Sequence, residues 1–301
     1  MKSLLYSFLF WVGLSCAPPT SSDYGKVPEF NEYWYQGKAE LTSYQLEQAR
    51  YGAIHQGHAV LIFVTEPFSL SKHVKPDRPQ QTHGEEVSVL KLNFTKKFTT
   101  GLYPYSMMAS MFTPVEIDRY PNTLKVSSSS QEWCGHTFTQ LNLEKNRYRG
   151  QLYSYFESEG DQEIKLTKVV LEDEIWNRIR INPQSLPTGT VQMIPGTFYT
   201  RLRHQSLAPQ TVEASLSVGQ EGAVSTYVLK YPAFERTLQI HFQSAFPYEI
   251  VGWEESYPSG FGSNAKLLTT KARKKKQLVI DYWNKNQPLD ARLRKELDLP
   301  E

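Results

Sequence analysis

The densest group of chemistry-bearing side chains follows the serines at 127 to 130, where Glu132, Trp133, Cys134, Gly135 and His136 come in succession. A thiol, an imidazole and a carboxylate are the parts of a thiolate nucleophile with its base, so Cys134, His136 and Glu132 form the candidate catalytic set. Period-two alternation puts residues 133–141 on a strand. There, residues two apart share a face but stand about 6.5 Å apart along the backbone. A base in direct hydrogen-bond reach of Cys134 would then have to come from a neighbouring strand. The competing reading is a small apolar residue packed in a sheet.

Two other groups invite metal chemistry. His55, His58, His73 and His83 lie close together in sequence, and His55 with His58 have a spacing that two ligands can use. Residues 54–57 read as the turn of a hairpin, however, and 73 and 83 fall in a Pro-rich polar loop, which makes them exposed loop histidines. Glu157, Glu159, Asp161 and Glu163 offer oxygen ligands without the regular spacing of a calcium loop, and Gly160-Asp161 reads as a tight turn between strands. No metal and no cofactor is expected. Asn93-Phe94-Thr95 matches a glycosylation sequon. Gly-rich phosphate loops, nucleophile elbows and paired Cys-x-x-Cys sequences are absent.

A fourth feature suggests binding. Residues 103, 105, 107, 109 and 111 are Tyr, Tyr, Met, Ala and Met, one face of a strand. Tyr103, Tyr105, Met107 and Met111 are candidates to line a cavity, because methionine adapts to irregular apolar ligands and tyrosine adds a polar handle. Core packing is the plainer alternative.

The elements that must position these residues are mostly strands. Alternation recurs at 59–65, 87–94, 101–112, 133–141, 148–156, 212–218, 238–242 and 249–254, bounded by Gly, Pro, Asn and Asp. Residues 39–51 fit a helix through Leu41, Tyr44 and Gln45 or a strand through Tyr44, Leu46 and Gln48, and the strand, paired with 59–65, is the expected form. A helix is predicted over 171–181, with Leu171, Ile175 and Ile179 on one face and Glu172, Asp173 and Glu174 in a first turn where the macrodipole favours carboxylates. Another is predicted over 289–299. The composition, rich in tyrosine with 18 residues and with a mean hydropathy of -0.49, suits strands with one wet face. The predicted fold is mainly β, with a few short helices around a large curved antiparallel sheet, an open barrel or a two-part β-sandwich.

The N-terminus reads as an address. Met1 and Lys2 precede an apolar run over residues 4–14 that is about half the 20 residues a spanning helix requires, and prolines 18 and 19 end it. The run closes on Val12, Gly13, Leu14, Ser15 and Cys16, which resembles the lipobox of bacterial lipoproteins, with Cys16 the residue to be acylated. Leu14 and Gly13 depart from its usual order. The expected organisation is a signal peptide over 1–15, a tether over 16–28 rich in Pro, Ser and Thr, a first β-rich half over 29–183 and a second over 184–301, the two halves being able to share one sheet. The expected location is the periplasmic face of the outer membrane. With Cys16 acylated, Cys134 is the remaining thiol and no intramolecular disulfide can form. A net charge of +2 offers no field for nucleic acid, and the basic run at 271–276 reads as a solvated hairpin tip.

Several stretches carry a family resemblance: Trp34 to Glu40, Gln48 to Gly52, Val60 to Glu66, Leu90 to Asn93, Ser130 to His136 and Ser154 to Phe156. Together they resemble a family of Bacteroidetes lipoproteins often labelled septum formation inhibitor. The cytoplasmic nucleotide pyrophosphatases of that title carry a Ser-x-Ser-Pro-Arg-Arg motif that is missing here. The resemblance implies an exported lipoprotein and assigns no site residue. The expected role is therefore binding of an amphiphile or an envelope protein by an anchored β-rich protein. A hydrolase or transferase built on Cys134, and a purely structural envelope component, are the alternatives.

Overall fold

The computed structural model describes residues 28–77, 85–220, 222–260 and 262–300. Cys16, His83, the export signal and most of the tether lie outside them. The first wing of the fold is a meander: β1 (Ala39–Arg50), β2 (Ala53–Ser69), β3 (Glu86–Thr100), β4 (Tyr103–Pro114), β5 (Lys125–Glu132), β6 (Gly135–Leu143), β7 (Arg147–Ser154) and β8 (Gln162–Thr167). A two-residue β9 (Val170–Leu171) leads into α2 (Glu172–Ile181), which follows the short N-terminal α1 (Pro28–Trp34) in helix order. The second wing contains β10 (Gly189–Ile194), α3 (Thr197–Arg203), β11 (Gln210–Ser217), β12 (Val224–Tyr231), β13 (Arg236–Gln243), β14 (Ile250–Ser259) and β15 (Lys266–Ile280). A terminal α4 spans Arg292–Glu296.

Among the described residues these strands form one sheet, ordered β8-β7-β6-β5-β4-β3-β2-β1-β15-β14-β13-β12-β11-β10-β9. The sheet has two wings that meet where β1 pairs with β15 in the middle, and β9, although it precedes residue 183, closes the far end of the second wing beside β10. All neighbours run antiparallel except β9 and β10. The fold is thus the mainly β, open curved sheet with few short helices that the alternation predicts.

The sheet curves around α2. All ten residues of that helix are buried, and its apolar face, Ile175, Trp176, Ile179 and Ile181, joins a cluster that includes Phe94 of β3, Met107 of β4 and Trp253 of β14. Trp176 meets Phe94 and Trp253 edge-on, with centroids 5.1 and 5.3 Å away. Such contacts add to the burial of large rings, and here they tie both wings to the helix.

Turn chemistry places some elements differently from the sequence reading. Tyr51 and Gly52 both adopt positive φ, 54° and 78°, which makes a two-residue hairpin turn of the kind that matches strand twist. His55 and His58 consequently lie within β2, opposite Gln48 and Gln45, rather than at a turn around 54–57. The basic run at 271–276 also lies inside a strand, not at a tip. Lys271 pairs with Glu254 at 3.6 Å, Arg273 with Glu47 at 3.7 Å, Lys274 with Glu249 and Lys275 with Asp298, so carboxylates face four of its five cations.

Candidate functional site

The interior is polar where α2 begins. Arg236 of β13 donates to Glu172 from Nη1 and Nη2 at 2.5 and 2.6 Å, and from Nε to Glu255 of β14 at 2.7 Å. Burial pushes the Glu172 carboxyl up, but the guanidinium outweighs burial and holds it below the usual carboxylate range. Gly196, just before α3, packs so closely that a Cβ there would stand 2.5 Å from Glu172 Oε1, an approach open only to glycine. The next residue, Asp173, accepts the backbone N–H of Thr197 at 3.1 and 3.3 Å. Burial, and then the charge of Glu172, push the Asp173 carboxyl up to about 7.

Lys96 of β3 completes this chamber. Its ammonium lies 5.2, 5.3 and 5.9 Å from the ring centroids of Phe198, Phe94 and Trp253, within the range of cation–π attraction. Burial pulls its pKa down, and the carboxylate of Glu255 opposes that shift. When Asp173 is protonated, the carboxylates of Glu172 and Glu255 face the cations of Arg236 and Lys96 in equal number. The cavity they enclose measures about 20 Å³, room for roughly one water-sized molecule. It balances charge and is too small to receive a substrate.

A larger opening lies on the far side of the first turn of α3. Thr197 and Thr200 face a cleft of about 350 Å³, while Gly196, Phe198 and Tyr199 face the chamber. One wall of the cleft is β8, the other is α3 with residues 205–207, and Leu152, Ile164, Leu166 and Leu207 contribute apolar surface. Its size falls in the range of small-ligand sites, about 300–1,000 Å³.

The polar end of this cleft is built around Glu159, in the loop after β7. Its carboxylate accepts Arg201 Nη1 at 2.8 and 2.9 Å, His204 Nδ1 at 2.8 Å and the Ser154 hydroxyl at 2.6 Å. Burial alone would raise the Glu159 carboxyl, but these partners keep it below its ordinary value. Burial, reinforced by Arg201, pulls the His204 imidazole down, so it is mostly neutral at pH 7. Phe156 holds the group in place: Arg201 lies 4.3 Å from its ring centroid, and the His204 ring meets it edge-on at 5.0 Å. His204 caps α3 with a φ of 53°, a left-handed conformation that is uncommon for a residue other than glycine.

The candidates named from sequence occupy other places. Cys134 is not inside a strand: β5 ends at Glu132, β6 starts at Gly135, and Trp133 and Cys134 form the exposed turn between them. Glu132 accepts the Cys134 backbone N–H at 2.7 Å, and its carboxylate raises the thiol pKa. That is opposite to the depression that activates a nucleophile. His136 is exposed and stands opposite Gln131 in the β5–β6 pair.

Tyr105, Met107 and Met111 are buried, the two methionines only 1% exposed, in the core cluster that contains α2. Tyr105 stacks on Phe98 at 4.8 Å, while Tyr103 stays half-exposed at the rim. This face therefore meets protein: the inside of the curve is filled by the helix. Among the described residues, no three His, Cys, Asp or Glu side chains are grouped to hold a metal ion, and no helix is long and apolar enough to cross a membrane.

No family model and no curated protein matches the chain. Among solved structures, it is similar to a β-barrel-like protein of a domain of unknown function, DUF1849, from Brucella abortus. The two share 8% identity over 81% of this chain and 98% of the other, at a TM-score of 0.45.

The basic partners Arg201, His204, Arg236 and Lys96 carry no local signal in the sequence that marks them as parts of these groups. Glu159 was one of four carboxylates in a turn, and its partners Arg201 and His204 lie more than forty positions later. The one local signal for them is the basic last turn of α3, which by itself indicates only a helix C-terminus.

Proposed function

We propose that this is an exported, lipid-anchored binding protein of the cell envelope, and that its working surface is the cleft between β8 and α3. The observation that carries the reading is the cleft itself: an apolar floor, a fixed Glu159–Arg201–His204 group at one end, and a volume of about 350 Å³. The filled interior turns the search for an amphiphile or protein partner towards this opening. The lipobox-like ending at Cys16 supports the anchor.

The test uses the acylated protein purified from its own membrane in mild detergent. Native mass spectrometry should find a bound lipid or protein mass in the wild type, and Leu207→Trp, which fills the cleft, should lose it. An empty wild type indistinguishable from Leu207→Trp would overturn the binding reading. Metabolic labelling with a fatty acid tests the anchor separately, since label that persists in Cys16→Ala would refute it.

A hydrolase is the second reading, now resting on a different pair from Cys134 and His136. His204 Nδ1 donates to Glu159 at 2.8 Å in a group that borders the cleft, the arrangement by which a carboxylate orients a histidine base. Hydrolysis of an activated ester that falls at least tenfold in His204→Gln would support it. Equal rates in the two proteins would remove it.

A further inference from the structure

We propose that β8 accepts an extended polypeptide as a sixteenth strand, so that the partner of the cleft is a β-strand of another protein. This deepens the binding reading and rests on the cleft being the working surface.

The sheet's two ends differ. At one end β9 is two residues long and runs directly into α2, so its own chain covers it. At the other, β8 pairs only with β7, and among the described residues no strand lies beyond it. In an antiparallel ladder, alternate residues of an edge strand direct their backbone N–H and C=O groups away from the existing neighbour. Five consecutive residues of β8, 162–166, line the cleft, so the edge of β8 away from β7 borders it. An acyl chain cannot hydrogen-bond to such a row, whereas an extended peptide matches its donors and acceptors.

The side chains specify the peptide's alternation. Ile164 and Leu166 are turned inward, each 9% exposed, and the added strand must place apolar residues beside them. Glu163 and Lys165 are turned outward and lie 3.8 Å apart. Outward charges on an edge discourage indiscriminate pairing; a cationic residue beside Glu163 and an anionic one beside Lys165 convert that barrier into a preference.

Three acetylated, amidated and fluorescently labelled heptapeptides of the sequence Thr-Val-Lys-Val-Glu-Val-Thr, whose lysine and glutamate fall beside Glu163 and Lys165 when the peptide runs parallel to β8, provide the probe. One is unmodified, one is N-methylated on every valine amide, and one is N-methylated on the lysine, glutamate and final threonine amides. Alternate amides of a strand point to opposite edges, so each methylated peptide loses hydrogen bonding along one edge and keeps its side chains. Titrated by fluorescence anisotropy against the acylated full-length protein, the unmodified peptide should bind saturably. One methylated peptide should bind at least tenfold more weakly and the other within about threefold, with Leu207→Trp weakening the unmodified peptide at least tenfold. Equal binding of all three peptides, loss of both methylated peptides or no saturable binding would overturn the inference, as would a dimer formed through β8 without peptide. A lipid mass in the native spectrum with no peptide binding would overturn strand addition and leave the binding reading standing.

Discussion

Glu40 near the start of β1 and Arg180 near the end of α2 join across 140 positions of sequence through paired hydrogen bonds of 2.5 and 2.6 Å, both side chains being 1% exposed. Tyr33 of α1 donates to the same carboxylate. Burial would raise Glu40, but Arg180 dominates and keeps it below the ordinary carboxylate range. The guanidinium also lies 5.0 and 4.8 Å from the ring centroids of Trp34 and Phe63. The pair holds the helix to the strand at the centre of the sheet.

Removing one partner leaves the other charged and buried. Arg180→Leu is expected to cost about 3–5 kcal/mol, while the double variant Glu40→Leu with Arg180→Leu should cost clearly less because no orphan charge remains. Urea unfolding of the three proteins checks the comparison, and equal losses in the single and double variants would contradict it.

Asp173 should reverse the usual effect of acid on stability. Its carboxyl titrates near 7 in the fold and near about 3.9 in the unfolded chain. Between those values the folded state holds a proton that the unfolded state lacks, so stability from this residue rises as pH falls from 8 towards 5, by on the order of 3 kcal/mol. Glu40 and Glu172, whose folded values are depressed, act in the opposite sense and lose their contribution only as pH falls below the usual carboxylate range. His58, His73 and His204, held below the ordinary imidazole value, act against this gain as pH falls through about 6.5, so a variant isolates the Asp173 contribution to the urea midpoint. Asp173→Asn should flatten its dependence between pH 5 and 8, and an unchanged slope would show that another group is responsible.

Lys96 is expected to support the chamber through charge balance. Lys96→Met leaves Arg236 alone with the carboxylates of Glu172 and Glu255 and should lower stability by roughly 3 kcal/mol. Adding Glu255→Gln should recover part of that loss. The same measurement decides the matter: if Lys96→Met is neutral, packing around the stem outweighs the ammonium.

Cys134 should be accessible but slow to react. Alkylation of the native protein should reach it without denaturant, with a rate that rises with pH later than that of a small free thiol, since Glu132 disfavours the thiolate. Glu132→Gln should speed labelling at pH 7 severalfold, as followed by mass spectrometry. A thiolate reacting faster than a small thiol at pH 7 would revive the nucleophile reading.

The strand content and the mainly β class were legible in the sequence because alternation is local: a residue's face follows from its neighbours two positions away; that both halves share one sheet rests on the β1–β15 pairing, which no local pattern shows. Turns were less so. Tyr51 carries no glycine-like signal, yet it takes positive φ beside Gly52 and shifts the hairpin tip several residues from 54–57. The inside of the sheet was largely hidden. Glu172, Asp173 and Glu174 look like a solvated first turn until Arg236, Thr197 and Arg178 are brought to them. Lys271, Arg273 and Lys274 look like a hairpin tip because the carboxylates that face them come from β14, β1 and the β13–β14 turn, although Arg273, Lys275 and Lys276 do stay exposed. Residue types reveal charges, but distant partners determine whether those charges face water.

The pairing of β1 with β15 also imposes a timetable. Residues 39–47 find their partners at 271–280, so the seam at the middle of the sheet cannot form until nearly all of the chain is present. Either wing can assemble hairpin by hairpin, but a chain emerging from its N-terminus leaves one side of β1 bare throughout synthesis. Long-range closure of this kind slows folding and exposes a strand edge while it waits. The late arrival of β15 makes the central seam, rather than either outer wing, the place where a nascent chain most needs protection from aggregation.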